Sequence, residues 1–504
     1  MRKIFGSTTS RLVMVAGLAL LATACLPSFG GNLHLVAKSG TGSSARLIWN
    51  QAFDEDAGDS IAYYELSVDG TVVDTVVAPA TNCTMTGLAS STTYAFAVTA
   101  YSNHGGGTEW SGNIGGTYAV LGKLTTSFTT PAGSAVAGTK SCTNGDTDTD
   151  GDRLPDWAET NTGVFVNEGN TGTNPNVADT DGDGIKDGDE TLGTLSGLNL
   201  PQMGAKPTHK DLAMEFDWFD DNADAGTCAS HSHRPTPAIV SAVSSAYANS
   251  PMPNPDGTTG VHLIADYGQG APFTGGNLVP DTDGLINVTF DASGLGFGGA
   301  EFLNIKTANF ASNRNGYFHY VLMPHSYNGS ASSGVAELPG DDTIVSLQCY
   351  GSTANVANTI VHEMGHNLNL HHGGTVDTNY KPNYNSVMNY RFQFPGVDTN
   401  CDAGGDGVLD YSRGTRASLN ETSLNEALGV CNGSGPALDW NGNGILDAPG
   451  LSFNINPSYD SVKTILTDNN DWATVSFAGL SDADGARVVP PQSVIEQPVP
   501  DSAK

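Results

Sequence analysis

Four of the twelve histidines in this chain of 504 residues fall in one string, VHEMGHNLNLHHGG, at positions 361–374. His362 and His366 are four residues apart, so on a helix their imidazoles project from one face, one turn apart, and can share a single ion. Glu363 then lies beside that ion. Two neutral ring nitrogens suit zinc, and a catalytic zinc takes three protein ligands plus a water whose pKa it lowers toward about 7. The third ligand must come from beyond the helix, because the residues that follow on it rotate away from the ion. A reversal of the chain at Asn369 would return His372, with His371 as the competing residue.

The element that must present the pair is a helix over residues 353–368. It holds no proline and one interior glycine, Gly365; Val356, Ile360 and Met364 give it an apolar face, and Ser352 or Thr353 can cap it. Around it, residues 205–480 mix strand-like runs (DLAMEFDWF, GVHLIAD, GYFHYVLM, DTIVSLQ) with a second helix over 238–248, which predicts an α+β or α/β domain with a loop-rich insert at about 398–450. His231 and His233 sit among prolines, and these two, like His319 and His325, read as packing residues. No GxSxG, Walker or dinucleotide-binding glycine pattern stands in the required context.

The string resembles the zinc signature of the metzincin metallopeptidases, HExxHxxGxxH, at His362, Glu363, His366 and His372. Asn369 stands where that family has glycine, and asparagine is among the residues most tolerant of left-handed geometry. SVMNY downstream is similar to the family's Met-turn, at Met388 and Tyr390. The resemblance implies zinc on His362, His366 and His372, Glu363 as the general base on the zinc-activated water, Met388 as an apolar floor under the ligands, and Tyr390 at the zinc or the oxyanion. Protein or peptide substrates follow from it.

Composition sets the other expectations. With 53 Asp+Glu against 21 Lys+Arg the formal charge is −32, which opposes the counterion release that nucleic-acid binding needs. The carboxylates gather in two loops, DTDGDRLPDWAE and DTDGDGIKDGDE, within a stretch at 146–192. Asp148, Asp150, Asp152, Asp156 and Glu159, and again Asp179, Asp181, Asp183, Asp187 and Glu190, occupy offsets 1, 3, 5, 9 and 12, those of a calcium loop. Carboxylates this close repel unless a cation joins them; the alternative is a solvated acidic linker. The spacing resembles thrombospondin type 3 and related bacterial calcium repeats. Two later strings, Asp439-Asn441-Asn443-Asp447 and residues 402–410, are weaker relatives or plain turn-rich loops.

The first 24 residues read as a secretion signal: Arg2, Lys3 and Arg11, an apolar run, then small residues up to Cys25. They also resemble a bacterial lipoprotein signal, which would put lipid on Cys25 and the protein in the cell envelope; plain secretion is the alternative. Six cysteines remain beyond Cys25, an even set for an oxidising compartment, with Cys401–Cys431 the first expected pair. Residues 33–131 alternate in short runs broken by turn residues, predicting a β-sandwich. Trp49, Tyr64, Leu88 and Tyr94 resemble a fibronectin type III module. The tail, 481–504, is expected to be disordered. The whole reads as a multidomain zinc endopeptidase stiffened by calcium, with a non-enzymatic surface-adhesion protein as the alternative.

Overall fold

In the strand Thr93–Asn103, Tyr94, Phe96, Val98 and Ala100 are all buried, because alternate side chains of a strand face one side. A computed structural model of the chain describes residues 34–40, 42–52, 60–103, 117–119, 123–143, 146–219, 232–280, 284–290, 297–298, 300–349, 352–477 and 492–494. Cys25, the signal segment, Cys228 and His231 lie outside the described residues. Those described fall into two compact units. One takes the residues up to Asn161, Phe165–Ala178 and Asp187–Gln202; the other takes Thr162–Val164, Asp179–Lys186 and those from Met203 onward.

The first unit is built on two antiparallel sheets. One joins β1 (Leu35–Ser39), β2 (Ala45–Trp49), β5 (Asn82–Thr86) and β9 (Ser141–Thr143); the other joins β4 (Thr71–Val77), β3 (Ser60–Val68), β6 (Thr93–Asn103) and β7 (Thr117–Ala119), with β8 (Leu124–Thr129) also on β6. Trp49 and Tyr64 meet edge to face at 5.4 Å between the sheets, and the Tyr94 hydroxyl accepts from the Ala89 N–H at 2.9 Å, closing a tyrosine corner. Cys83 and Cys142 bridge β5 and β9.

The acidic stretch is not a free linker. Between its carboxylates lie Leu154, Ala158 and Leu192, which bury against Ile48 with Val36 and Trp157 alongside. Asn50 Nδ2 donates to Thr191 O at 2.8 Å and the Gln51 N–H to Leu192 O at 2.9 Å, so helix α1 (Asp187–Leu192) is tied to the end of β2. The apolar residues spaced through the repeats dock the first loop on the sandwich, while Asp179–Lys186 belongs to the second unit.

In the second unit the sheet order is β11-β10-β12-β14-β13-β15, where β10 is Asp211–Phe219, β11 His262–Asp266, β12 Phe318–Met323, β13 Gly334–Leu338, β14 Asp342–Val345 and β15 Gln492–Val494. The pairs β10–β11, β10–β12 and β12–β14 are parallel; β13 is antiparallel to both β14 and β15. Helices α2 (Pro237–Ala248) and α3 (Thr353–Asn367) share one core with β10, through Ile239, Val243, Val356, Ile360, Met364, Met214 and Phe216. The expected Cys401–Cys431 bridge is present, and Cys349 is also disulfide-bonded. Of the tail expected to be disordered, only Gln492–Val494 lies within the described residues, and it pairs as a strand: a short proline-free run meets an edge that can pair with it.

Asn367 fastens the end of α3 to this sheet. Its Nδ2 donates to Glu337 O (3.0 Å) and Asp342 O (3.1 Å), and its Oδ1 accepts from Thr343 Oγ1 (2.9 Å) and from the buried His319 Nδ1 (3.1 Å). His319 Nε2 finds no hydrogen-bond partner among the described residues, so a proton there would bury an unpaired N–H. Burial pushes this histidine down to about 4, from 6.5. The unfolded chain takes up the proton first, so stability falls as pH drops from about 6.5 to about 4, by at most about 3 kcal/mol. Thermal melts across that range should show a shallower acid limb in His319→Gln; an unchanged limb would assign the acid sensitivity elsewhere.

Candidate metal centres

Helix α3 begins where Ser352, not Thr353, accepts the Asn355 N–H at 3.1 Å. It carries His362, Glu363 and His366 into the interior, all fully buried. His362 Nδ1 donates to Val387 O at 2.7 Å and His366 Nδ1 to Leu370 O at 2.6 Å. A carbonyl only accepts, so in each neutral ring the proton sits on Nδ1 and Nε2 is the nitrogen that carries the lone pair.

The helix stops at Leu368, and Asn369 takes φ 73°, the left-handed turn expected of it. The Asn369 N–H bonds His366 O and the Leu370 N–H bonds Gly365 O, both at 2.8 Å, so the chain doubles back at once. That return brings His372 to the pair: its ring centroid lies 5.4 Å from that of His362 and 4.8 Å from that of His366. One ring nitrogen from each of the three lies within 4.8 Å of the others. His371 turns away to Asp377 Oδ1 at 2.6 Å. The donor set, three imidazoles with two tautomers fixed by main-chain carbonyls, fits zinc.

Met388 is wholly buried against Gly365 of the helix, on the turn whose Val387 carbonyl orients His362. The Tyr390 ring stands 4.5 Å from that of His372 and 5.7 Å from that of His362. Glu363 faces β13: a Cβ on Gly334 would come within 2.4 Å of its Oε1. Sequence reasoning missed three supports. The carbonyls of Val387 and Leu370 leave no trace in residue type. Lys381, buried, donates to Gly373 O at 2.9 Å and Thr467 O at 2.7 Å, holding the segment after His372. Gly365 did leave a signal, as the one glycine inside the helix.

The acidic loops differ from the expected calcium loop. In both, the first aspartate accepts two backbone N–H groups, Asp148 from Gly151 and Arg153, Asp179 from Gly182 and Gly184. The backbone is left-handed at offsets 4 and 6, at Gly151, Arg153, Gly182 and Gly184. This tight coil turns Asp156 back on its own loop, where it accepts from the Thr149 N–H (2.8 Å) and Oγ1 (2.9 Å) and joins none of the carboxylate groups described below.

Asp148, Asp150 and Asp152 converge, as do Asp179, Asp181 and Asp183, and Asp187 gathers with Asp152 and Glu159. Glu190 is buried on α1, in the first unit. Oxygen donors in these groups suit a hard cation such as Ca²⁺. The same coil recurs at Asp439, which accepts from Asn443 and Gly444, and at Asp398, which accepts from Cys401 and Ala403. The second of these begins at Asp398, four residues before the string expected from sequence, and Arg416 Nη2 lies 3.4 Å from Asp398.

Two predictions follow from these geometries. A Cβ at Gly365 would stand 2.2 Å from Met388 Sδ, so Gly365→Ala should cost about 1–3 kcal/mol and lower bound zinc, although alanine in an ordinary helix interior stabilises. Melting and metal content check it; a rise in Tm at full metal content would refute the close approach. In the acidic group, burial and then neighbouring carboxylates push Asp152 up to about 8 and Glu159 up to about 8. Native carboxyls hold protons the unfolded chain has lost, so with a calcium chelator present the first unit should lose stability as pH rises from about 4 to about 8. Saturating calcium should flatten that fall; identical pH profiles in both buffers would count against a cation there.

Comparison with known families reaches only the N-terminal part: the model of the fibronectin type III domain matches residues 30–117. No curated protein matches the chain. Strand β8, paired with β6 along Thr93–Val98, continues the sandwich past the matched residues. With two antiparallel sheets, the buried Trp49–Tyr64 pair and the Tyr94 corner, the N-terminal part of this chain is a fibronectin type III β-sandwich.

Proposed function

We propose that the chain is a zinc-dependent endopeptidase, exported and free or held to the cell envelope by lipid on Cys25, with calcium as a structural ion in its acidic loops. The observation that carries this reading is the convergence of His362, His366 and His372 beside the buried Glu363. Its substrates are proteins or peptides.

His362, His366 and His372 would hold the metal. When bound, zinc supplies Lewis acidity, polarising the scissile carbonyl and lowering the pKa of a water. Glu363 takes the proton from the attacking water and delivers it to the leaving amine. Burial of that carboxylate keeps bulk water from competing for the proton. Tyr390, beside His372, donates its hydroxyl to the oxyanion that develops from the carbonyl. The carbonyls of Val387 and Leu370 and the Met388 floor hold the imidazoles in register throughout.

The fibronectin type III domain favours a second reading, a surface-adhesion protein without catalysis. Incubation of the mature chain with unfolded casein separates the two. Cleavage that stops with a zinc chelator is expected, and Glu363→Ala should keep its zinc while losing about a thousandfold or more in kcat. Zinc-loaded, folded protein that leaves casein intact would favour adhesion, and normal turnover by Glu363→Ala would remove the carboxylate from its role.

A further inference from the structure

β13 runs beside the candidate catalytic carboxylate, since Gly334 lies against Glu363. One side of β13 pairs with β14, Gly334 opposite Val345 and Ala336 opposite Thr343. The other side would be a free sheet edge, a row of N–H and C=O groups ready to take an extended peptide. It is instead paired with β15: Ala336 faces Val494, Glu337 faces Ser493 and Leu338 faces Gln492, antiparallel. That sense points the C-terminal direction of β15 toward the Gly334 end, where Glu363 sits.

The sequence confines this pairing. Residues 492–497, QSVIEQ, are free of proline and are bounded by Pro490 and Pro491 before and Pro498 and Pro500 after. Proline has no N–H to give to a ladder, so the prolines bound the stretch around the paired Gln492–Val494. An extended polypeptide approaching Glu363 along β13 needs the same backbone groups that β15 uses. Two strands cannot share one edge.

We propose that Gln492–Val494 is an intramolecular competitor: the C-terminal segment occupies, by antiparallel strand pairing, the edge of β13 on which a polypeptide substrate must lie, and substrate has to displace it. The inhibitory part rests on the peptidase reading; the occupation of the edge does not. A tethered competitor of this kind acts at an effective concentration on the order of millimolar, so it raises KM and leaves kcat alone.

The test uses the full chain and a full chain carrying Gln492→Pro with Ser493→Pro. Adjacent residues of an antiparallel strand direct their N–H groups to opposite sides, so the double substitution removes at least one ladder bond whichever residue donates. Hydrogen exchange of the β13 amides is expected to quicken about tenfold or more in the variant, and KM for a peptide substrate to fall several-fold at equal kcat. A synthetic peptide of residues 488–500 should bind the variant more tightly than the parent chain and restore its KM. Unchanged exchange in residues 334–338 would overturn the pairing whatever the activity. Faster exchange with the same KM would overturn the inhibition. Faster exchange with no cleavage by either chain would overturn the peptidase reading, and the inhibitory role with it.

Discussion

Two imidazoles one turn apart on a helix point the same way, but they reach one point only if something fixes their rotation. Here main-chain carbonyls do so, that of Val387 for His362 and that of Leu370 for His366. Both come from segments that exist because α3 stops: Leu370 lies in the reversal at Asn369, and Val387 on the turn packed under the helix. Asn367 pins the stopping point to the sheet, and Lys381 pins the returning segment. The third ring then arrives by the reversal of the backbone at Asn369.

The carboxylate loops show the opposite economy. Their shape comes from one aspartate that satisfies two backbone N–H groups, and that device works with or without further acids, as at Asp439 and Asp398. In the first acidic loop Asp152 and Glu159 are packed with Asp187, where burial and then like charges push each up. Apolar residues between the acids anchor that loop on β2, so charge and packing lie on alternate residues of one short segment.

The helix with its i, i+4 histidines, the sandwich alternation and the first expected disulfide were legible because each depends on local spacing. The sequence already favoured His372 over His371; the left-handed turn at Asn369 and the bond of His371 to Asp377 give the physical reason. Asp156 was reached by counting acids by offset, and that count carries no trace of the bonds it accepts from Thr149. The loop at Asp398 escaped because Cys401 and Ala403 take the left-handed positions where the acidic repeats have Gly151, Gly182 and Gly184, so no glycine marked it. The tail strand was hidden by its acidic, proline-rich surroundings; pairing over three residues is decided by a distant edge and not by the segment itself.

Gly365 and Met388 constrain each other across the space beneath the rings. With sulfur packed where a Cβ would stand, position 365 can carry no side chain while residue 388 keeps its depth. A histidine-bearing helix that merely displays its rings at a surface has no such neighbour and tolerates alanine freely. The glycine between the first and second histidines of the motif is thus tied to a methionine some twenty residues downstream, and neither position is free to vary without the other.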